Sequence, residues 1–213
     1  MSYDLWILPA EHCADASAAE AHVAGEWGRT GQAAAQAVAD RITARDPGDD
    51  DSGFLSCSPL DAEGDVVIVP SPFSRIQAAR DATLTEALPA GFAVYDPQNG
   101  VLLDPRTAVD GVMTSRTEGD YPVITPAAVE HLCGRLRVDD FLVVETGPEF
   151  YCQTMRQTYD AYDVEYRDGS AGRHFRTSVD TADRVAGLMT AWLRGGPAAV
   201  REDAATAWEK LDL

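Results

Sequence analysis

Phe141-Leu-Val-Val-Glu145, Phe150-Tyr-Cys-Gln-Thr-Met-Arg156, Tyr162-Asp-Val-Glu-Tyr-Arg167 and His174-Phe-Arg-Thr-Ser-Val179 are short runs rich in aromatic and β-branched residues. Turn-forming residues separate them, most plainly Asp168-Gly-Ser-Ala-Gly172 before the last run. Closely spaced runs of this kind predict an antiparallel four-stranded meander. Side chains alternate across a strand, so Tyr162, Val164 and Tyr166 share one face and Asp163, Glu165 and Arg167 the other. His174, Arg176 and Ser178 are the matching polar set on the next strand.

Helices bracket this meander. Thr125-Pro126 is an N-cap followed by proline at the first helical position, opening a helix to about Leu136. Thr181 to Arg194 carries Val185, Leu188, Met189 and Trp192 at helical spacing, and Gly195-Gly196 closes it. Helices gathered on one face leave the other face of the sheet open.

Upstream, Tyr3 to Leu8 reads as a strand, and the Ala-rich stretch from Asp15 to Arg45 as two helices parted around Trp27 by Gly25, Gly28 and Gly31. Phe54 to Ser58 and Asp65 to Val69 suggest a hairpin turning at Asp61-Ala-Glu-Gly64. A helix from Ser74 to Leu88 follows, then Phe92 to Tyr95 and Val101 to Leu103 around the turn signal Asn99-Gly100. Asp104 to Pro122 mixes Pro, Gly, Thr and charge without apolar periodicity and marks a boundary. The expectation is an α+β chain of two small halves, 1–110 and 120–213, with no internal repeat.

Of the 213 residues, 45% are hydrophobic and 24% charged, values of an ordinary folded protein. The formal charge of -18, from 35 acidic and 17 basic residues, repels nucleic acid and anionic membrane and steers basic partners inward. The N-terminus lacks the basic flank of a signal peptide, and no segment approaches the ~20 apolar residues of a membrane helix. The expected location is therefore cytoplasmic, with Cys13, Cys57, Cys133 and Cys152 reduced.

No phosphate-cradling glycine motif, nucleophile elbow or H-E-x-x-H occurs. His12-Cys13 and His131-Leu-Cys133 lack zinc-site spacing, and Asp49-Asp-Asp51 lacks the alternation of a calcium loop, so neither a metal nor a cofactor is expected. His174 is the strongest catalytic candidate, because Glu165 or Asp163 across the hairpin would raise its pKa. No Ser or Cys nucleophile can be set beside it, and Cys57 and Cys152 read as core residues of strands.

Phe150-Tyr-Cys-Gln-Thr, Asp163-Val-Glu-Tyr-Arg-Asp-Gly-Ser170 and Arg173-His-Phe-Arg, followed by a helix ending in Trp192, resemble small actinobacterial domains of the immunity-protein type. The likeness covers about the last 75 residues and carries over no functional residues. Met1 to Leu8 is similar to the start of uncharacterised actinobacterial proteins.

Two readings follow. The first is a non-enzymatic binding protein, immunity-like, that meets a basic protein through Asp163, Glu165, Arg167 and Arg176. The second is a small-molecule enzyme or ligand-binding protein with a pocket between the halves, using His174, Glu165 and Tyr166, with Arg167 or Arg176 holding an anionic group. A homodimer joined through sheet surface is compatible with both.

Overall fold

The computed structural model describes residues 2–48 and 52–211, in two compact units that part between Thr107 and Ala108. The chain is α+β: among the described residues it forms five α-helices and two antiparallel sheets, of five and seven strands.

The first unit runs β1 (Tyr3–Pro9), α1 (Ala16–Glu26), α2 (Ala33–Arg45), β2 (Ala62–Glu63), β3 (Val66–Ser71), α3 (Ile76–Ala87), β4 (Phe92–Asp96) and β5 (Val101–Leu103). Its sheet order is β2-β3-β1-β4-β5, so the N-terminal strand is central. A central strand with apolar residues on both faces needs cover on both. On one face α1 sets Ala19 and Val23 against Leu8, Val66, Ala93 and Tyr95. On the other, Leu5, Ile7, Val67, Val69 and Val94 are buried, and α2 and α3 pack on the sheet. The Ala-rich stretch does break at Trp27-Gly28, with Asp15 capping α1 by accepting from the Ala18 N–H at 2.8 Å. Gly25 stays inside the helix.

One strand expectation fails. Phe54 to Ser58 forms none, and β3 turns back instead on Ala62–Glu63, from the stretch read as the turn. The backbone of the failed strand is satisfied piecemeal: the Phe54 N–H donates to the Asp46 carboxylate and the Ser56 N–H to the Pro70 carbonyl. Without a ladder its alternation has no sheet to face, and Cys57 is exposed rather than core. The acidic run Asp49-Asp-Asp51 lies outside the described residues.

The second unit contains β6 (Val112–Ser115), β7 (Gly119–Tyr121), α4 (Pro126–Arg135), β8 (Phe141–Gly147), β9 (Phe150–Thr158), β10 (Ala161–Asp168), β11 (His174–Val179), α5 (Ala182–Arg201) and β12 (Glu209–Lys210). The expected meander, β8 to β11, is the middle of a seven-stranded sheet ordered β12-β11-β10-β9-β8-β6-β7. The β6–β7 hairpin occupies the stretch read as a boundary. Strands of four and three residues show too few alternations for a period to be legible. Their attachment to β8 needs Gly111, whose missing Cβ would collide with the Glu145 carbonyl oxygen.

Both helices of this unit lie against one face, α5 packing on β9 and β10 and α4 on α5. Val185, Leu188, Met189 and Trp192 are buried there, as are Tyr162, Val164 and Tyr166 of β10. Each such side chain contributes about 1.5–3 kcal/mol of burial. Gly196, at φ 64°, ends the regular helix, and Pro197 restarts a short segment to Arg201. No helix among the described residues is long and apolar enough to cross a membrane.

Candidate functional site

The face of the second sheet opposite the helices carries the sequence-predicted residues. Register sets Asp163 opposite Ser178, Glu165 opposite Arg176, and Arg167 opposite His174. Facing pairs in adjacent antiparallel strands bring side chains into contact, and charged groups crowded on one face then organise into a network. The Asp163 carboxylate accepts hydrogen bonds from Arg176 Nη2, from Ser178 Oγ at 2.7 Å and from Gln157 Nε2 at 2.9 Å.

Beside it runs a second chain of contacts. Arg167 donates to Glu149 at 2.6 Å and to His174 Nδ1 at 3.4 Å. A guanidinium only donates, so Nδ1 is the acceptor and the neutral ring carries its proton on Nε2. That nitrogen lies 3.1 Å from Glu165 Oε2, but the approach is poorly directed and Nε2 makes no hydrogen bond. Glu165 instead accepts from Gln153 Nε2 at 2.9 Å. Tyr151 stacks edge-on to His174, with ring centroids 5.8 Å apart. His174 is thus buried on the polar face, not standing on its surface.

The register also brings in residues that the sequence reading passed over. Phe141 and Val143 of β8 and Gln153, Met155 and Gln157 of β9 line a depression of about 370 Å³ with Asp163 and Glu165. Met155 and, on β6, Val112 are large apolar side chains left exposed. The face is therefore divided: Val112, Phe141, Val143 and Met155 make an apolar patch on β6, β8 and β9, and Gln153 and Gln157 of β9 join it to the charged net of β10 and β11. Alternation within the β8 and β9 runs was the available signal, since every second residue there shares the face of Asp163.

Tyr166 does not join the site. The same alternation that puts Glu165 on the open face turns Tyr166 under α5, where it is fully buried and accepts a hydrogen bond from Arg201 Nε at 2.8 Å. Burial pushes its phenol pKa up, against the pull of that guanidinium. Cys152 is also on the covered face, and burial raises its thiol pKa. Among the described residues the open face therefore presents no activated thiol beside His174.

In the other unit, His12, His22 and Asp65 approach one another, with ligand atoms within 4.8 Å. Cys13, adjacent to His12, points elsewhere: its Sγ sits 3.6 Å from the Pro9 carbonyl, and burial pushes its pKa up to about 12.

Comparison with family models, curated proteins and solved structures gives no match.

Proposed function

We propose that the chain is a non-enzymatic, acidic protein-binding domain that takes a basic protein on the open face of β6 to β11, in the manner of an immunity-like inhibitor. The observation that carries the reading is the juxtaposition on that face of an apolar patch, Val112, Phe141, Val143 and Met155, with an adjoining carboxylate net. Interfaces combine apolar anchors with charged groups that fix orientation, and an overall charge of -18 speeds approach of a basic surface. Nucleic acid carries the wrong sign for such a field. A small-molecule enzyme is the second reading, favoured by the Glu165–His174 approach at 3.1 Å. The misdirected Nε2 and the thiols turned away from the face weigh against it.

Affinity capture at low and moderate salt supplies a partner, and two variants of the purified protein test the face. Glu165→Lys and Met155→Asp, on opposite halves of it, are expected to weaken binding at least tenfold, with Glu165→Lys also flattening the salt dependence. Unchanged affinity and salt dependence in both variants would remove this face as the binding surface.

A further inference from the structure

His12, His22 and Asp65 come from three places in the first unit. His12 ends the single helical turn after β1, His22 is on α1, and Asp65 sits in the turn between β2 and β3. The site takes two of the chain's four histidines, and Asp65 lies 43 residues from His22 in the sequence. All three rim the core beneath α1: His22 is one residue from Val23 and Asp65 one from Val66, both in that core. Gly64 makes the turn possible, since it holds φ 57° and a Cβ there would run into the Glu26 carboxylate.

His22 and Asp65 are held near coordination spacing, and the ligand atoms of all three residues lie within 4.8 Å of one another. His22 Nε2 lies 2.7 Å from Asp65 Oδ1, and the His12 and His22 rings stack with centroids 4.0 Å apart. An ion with bonds of about 2.0–2.1 Å in tetrahedral geometry sets its ligand atoms roughly 3.3 Å apart. His22 and Asp65 need to part by only a fraction of an ångström to admit it. His12 must swing inward, and as an exposed residue on a short turn it is free of core packing that would oppose this.

We infer that His12, His22 and Asp65 bind a divalent transition-metal ion of the zinc class. Two imidazoles and one carboxylate favour such an ion over magnesium or calcium, which take oxygen ligands. Three protein ligands leave the fourth position to water or a ligand from outside. On binding, the ion takes the place of the N–H between His22 and Asp65: the neutral ring ligates through Nε2 and carries its one proton on Nδ1 instead, while Asp65 turns its carboxylate oxygen to the ion. The site ties the segment after β1, helix α1 and the β2–β3 turn together, so it also stabilises the first unit.

The test is a Co2+ titration of the full chain, followed by visible absorption, with Zn2+ competition and a Zn2+ thermal shift alongside. The expected result is one equivalent of Co2+ with a d–d band that Zn2+ abolishes, and a higher Tm with Zn2+ than with Ca2+. His12→Ala, at an exposed position, and His22→Ala should each weaken binding by at least about tenfold. His131→Ala should leave it unchanged. A spectrum without a band, or uptake equal in wild type, His12→Ala and His22→Ala, would assign any bound metal to the diffuse acidic surface and overturn the site.

Discussion

Arg80 with Asp96 in the first unit, and Arg176 with Asp163 in the second, are both guanidinium–carboxylate pairs set on an antiparallel sheet, but at different depths. Arg80 and Asp96 are each almost wholly buried, 3.8 Å apart, and Asp96 also accepts from the Tyr3 hydroxyl and from Asn99. Burial raises the Asp96 carboxyl pKa even against these donors. Arg176, by contrast, keeps 42% of its side chain exposed while it holds Asp163. The buried pair has no surface left to offer a partner, and its role is to pin β4 and α3 together. The half-open pair organises a face that solvent reaches.

The largest effect should come from the buried pair. Asp96→Ala removes the carboxylate that faces the buried Arg80 guanidinium and is expected to cost about 3–5 kcal/mol in urea unfolding. Adding Arg80→Leu should return part of that loss, because the buried positive charge is then removed with its counter-charge. A loss below about 1 kcal/mol would erase the contrast in depth. The pH dependence has a definite sign. An acid whose folded pKa is raised favours folding below its unfolded pKa, and that contribution is lost as pH rises through the folded value. Asp96→Asn should therefore flatten that fall on the alkaline side of the carboxylate range.

Asp163→Asn should rank second, at about 1–2 kcal/mol, since a charge-assisted bond is weakened where Arg176 can turn to water. A cost matching Asp96→Ala would mean that the open face is sealed in solution. The smallest effect belongs to Glu86, which joins α3 to α2 through Arg45 at 2.5 Å and Arg41 at 2.8 Å. The Arg45 hydrogen bond, opposed by desolvation, heads the causes that lower its carboxyl pKa. Glu86→Gln should cost about 0.5–1 kcal/mol at neutral pH after solvent screening. This contribution is present above the unfolded glutamate pKa and is lost as pH falls through the lowered folded value. Wild type and variant should converge in acid, as chemical denaturation across pH would record.

Much of the fold was legible because it is written locally. Asp15, Thr125 and Thr181 cap the helices they were expected to open, and the meander strands begin and end close to their apolar runs. Asp163, Glu165, Arg167, His174 and Arg176 share a face because alternation follows from backbone geometry. Legibility ended where partners are distant or elements short. Ala62–Glu63, Gly119–Tyr121 and Glu209–Lys210 are strands only because a neighbouring strand pairs with them. His22 and Asp65 share no motif, and their 2.7 Å contact arises where α1, packed on one face of the sheet, meets the β2–β3 turn.

The sequence by itself determined the α+β class, the acidity, the helices and the two faces of each long strand, since caps, period and charge act within a few residues. Tertiary structure alone decided which face residues touch, that Tyr166 lies beneath α5, and that His12 and His22 meet Asp65. Those contacts depend on register and packing between segments far apart in the chain, and no local rule of chain geometry specifies them.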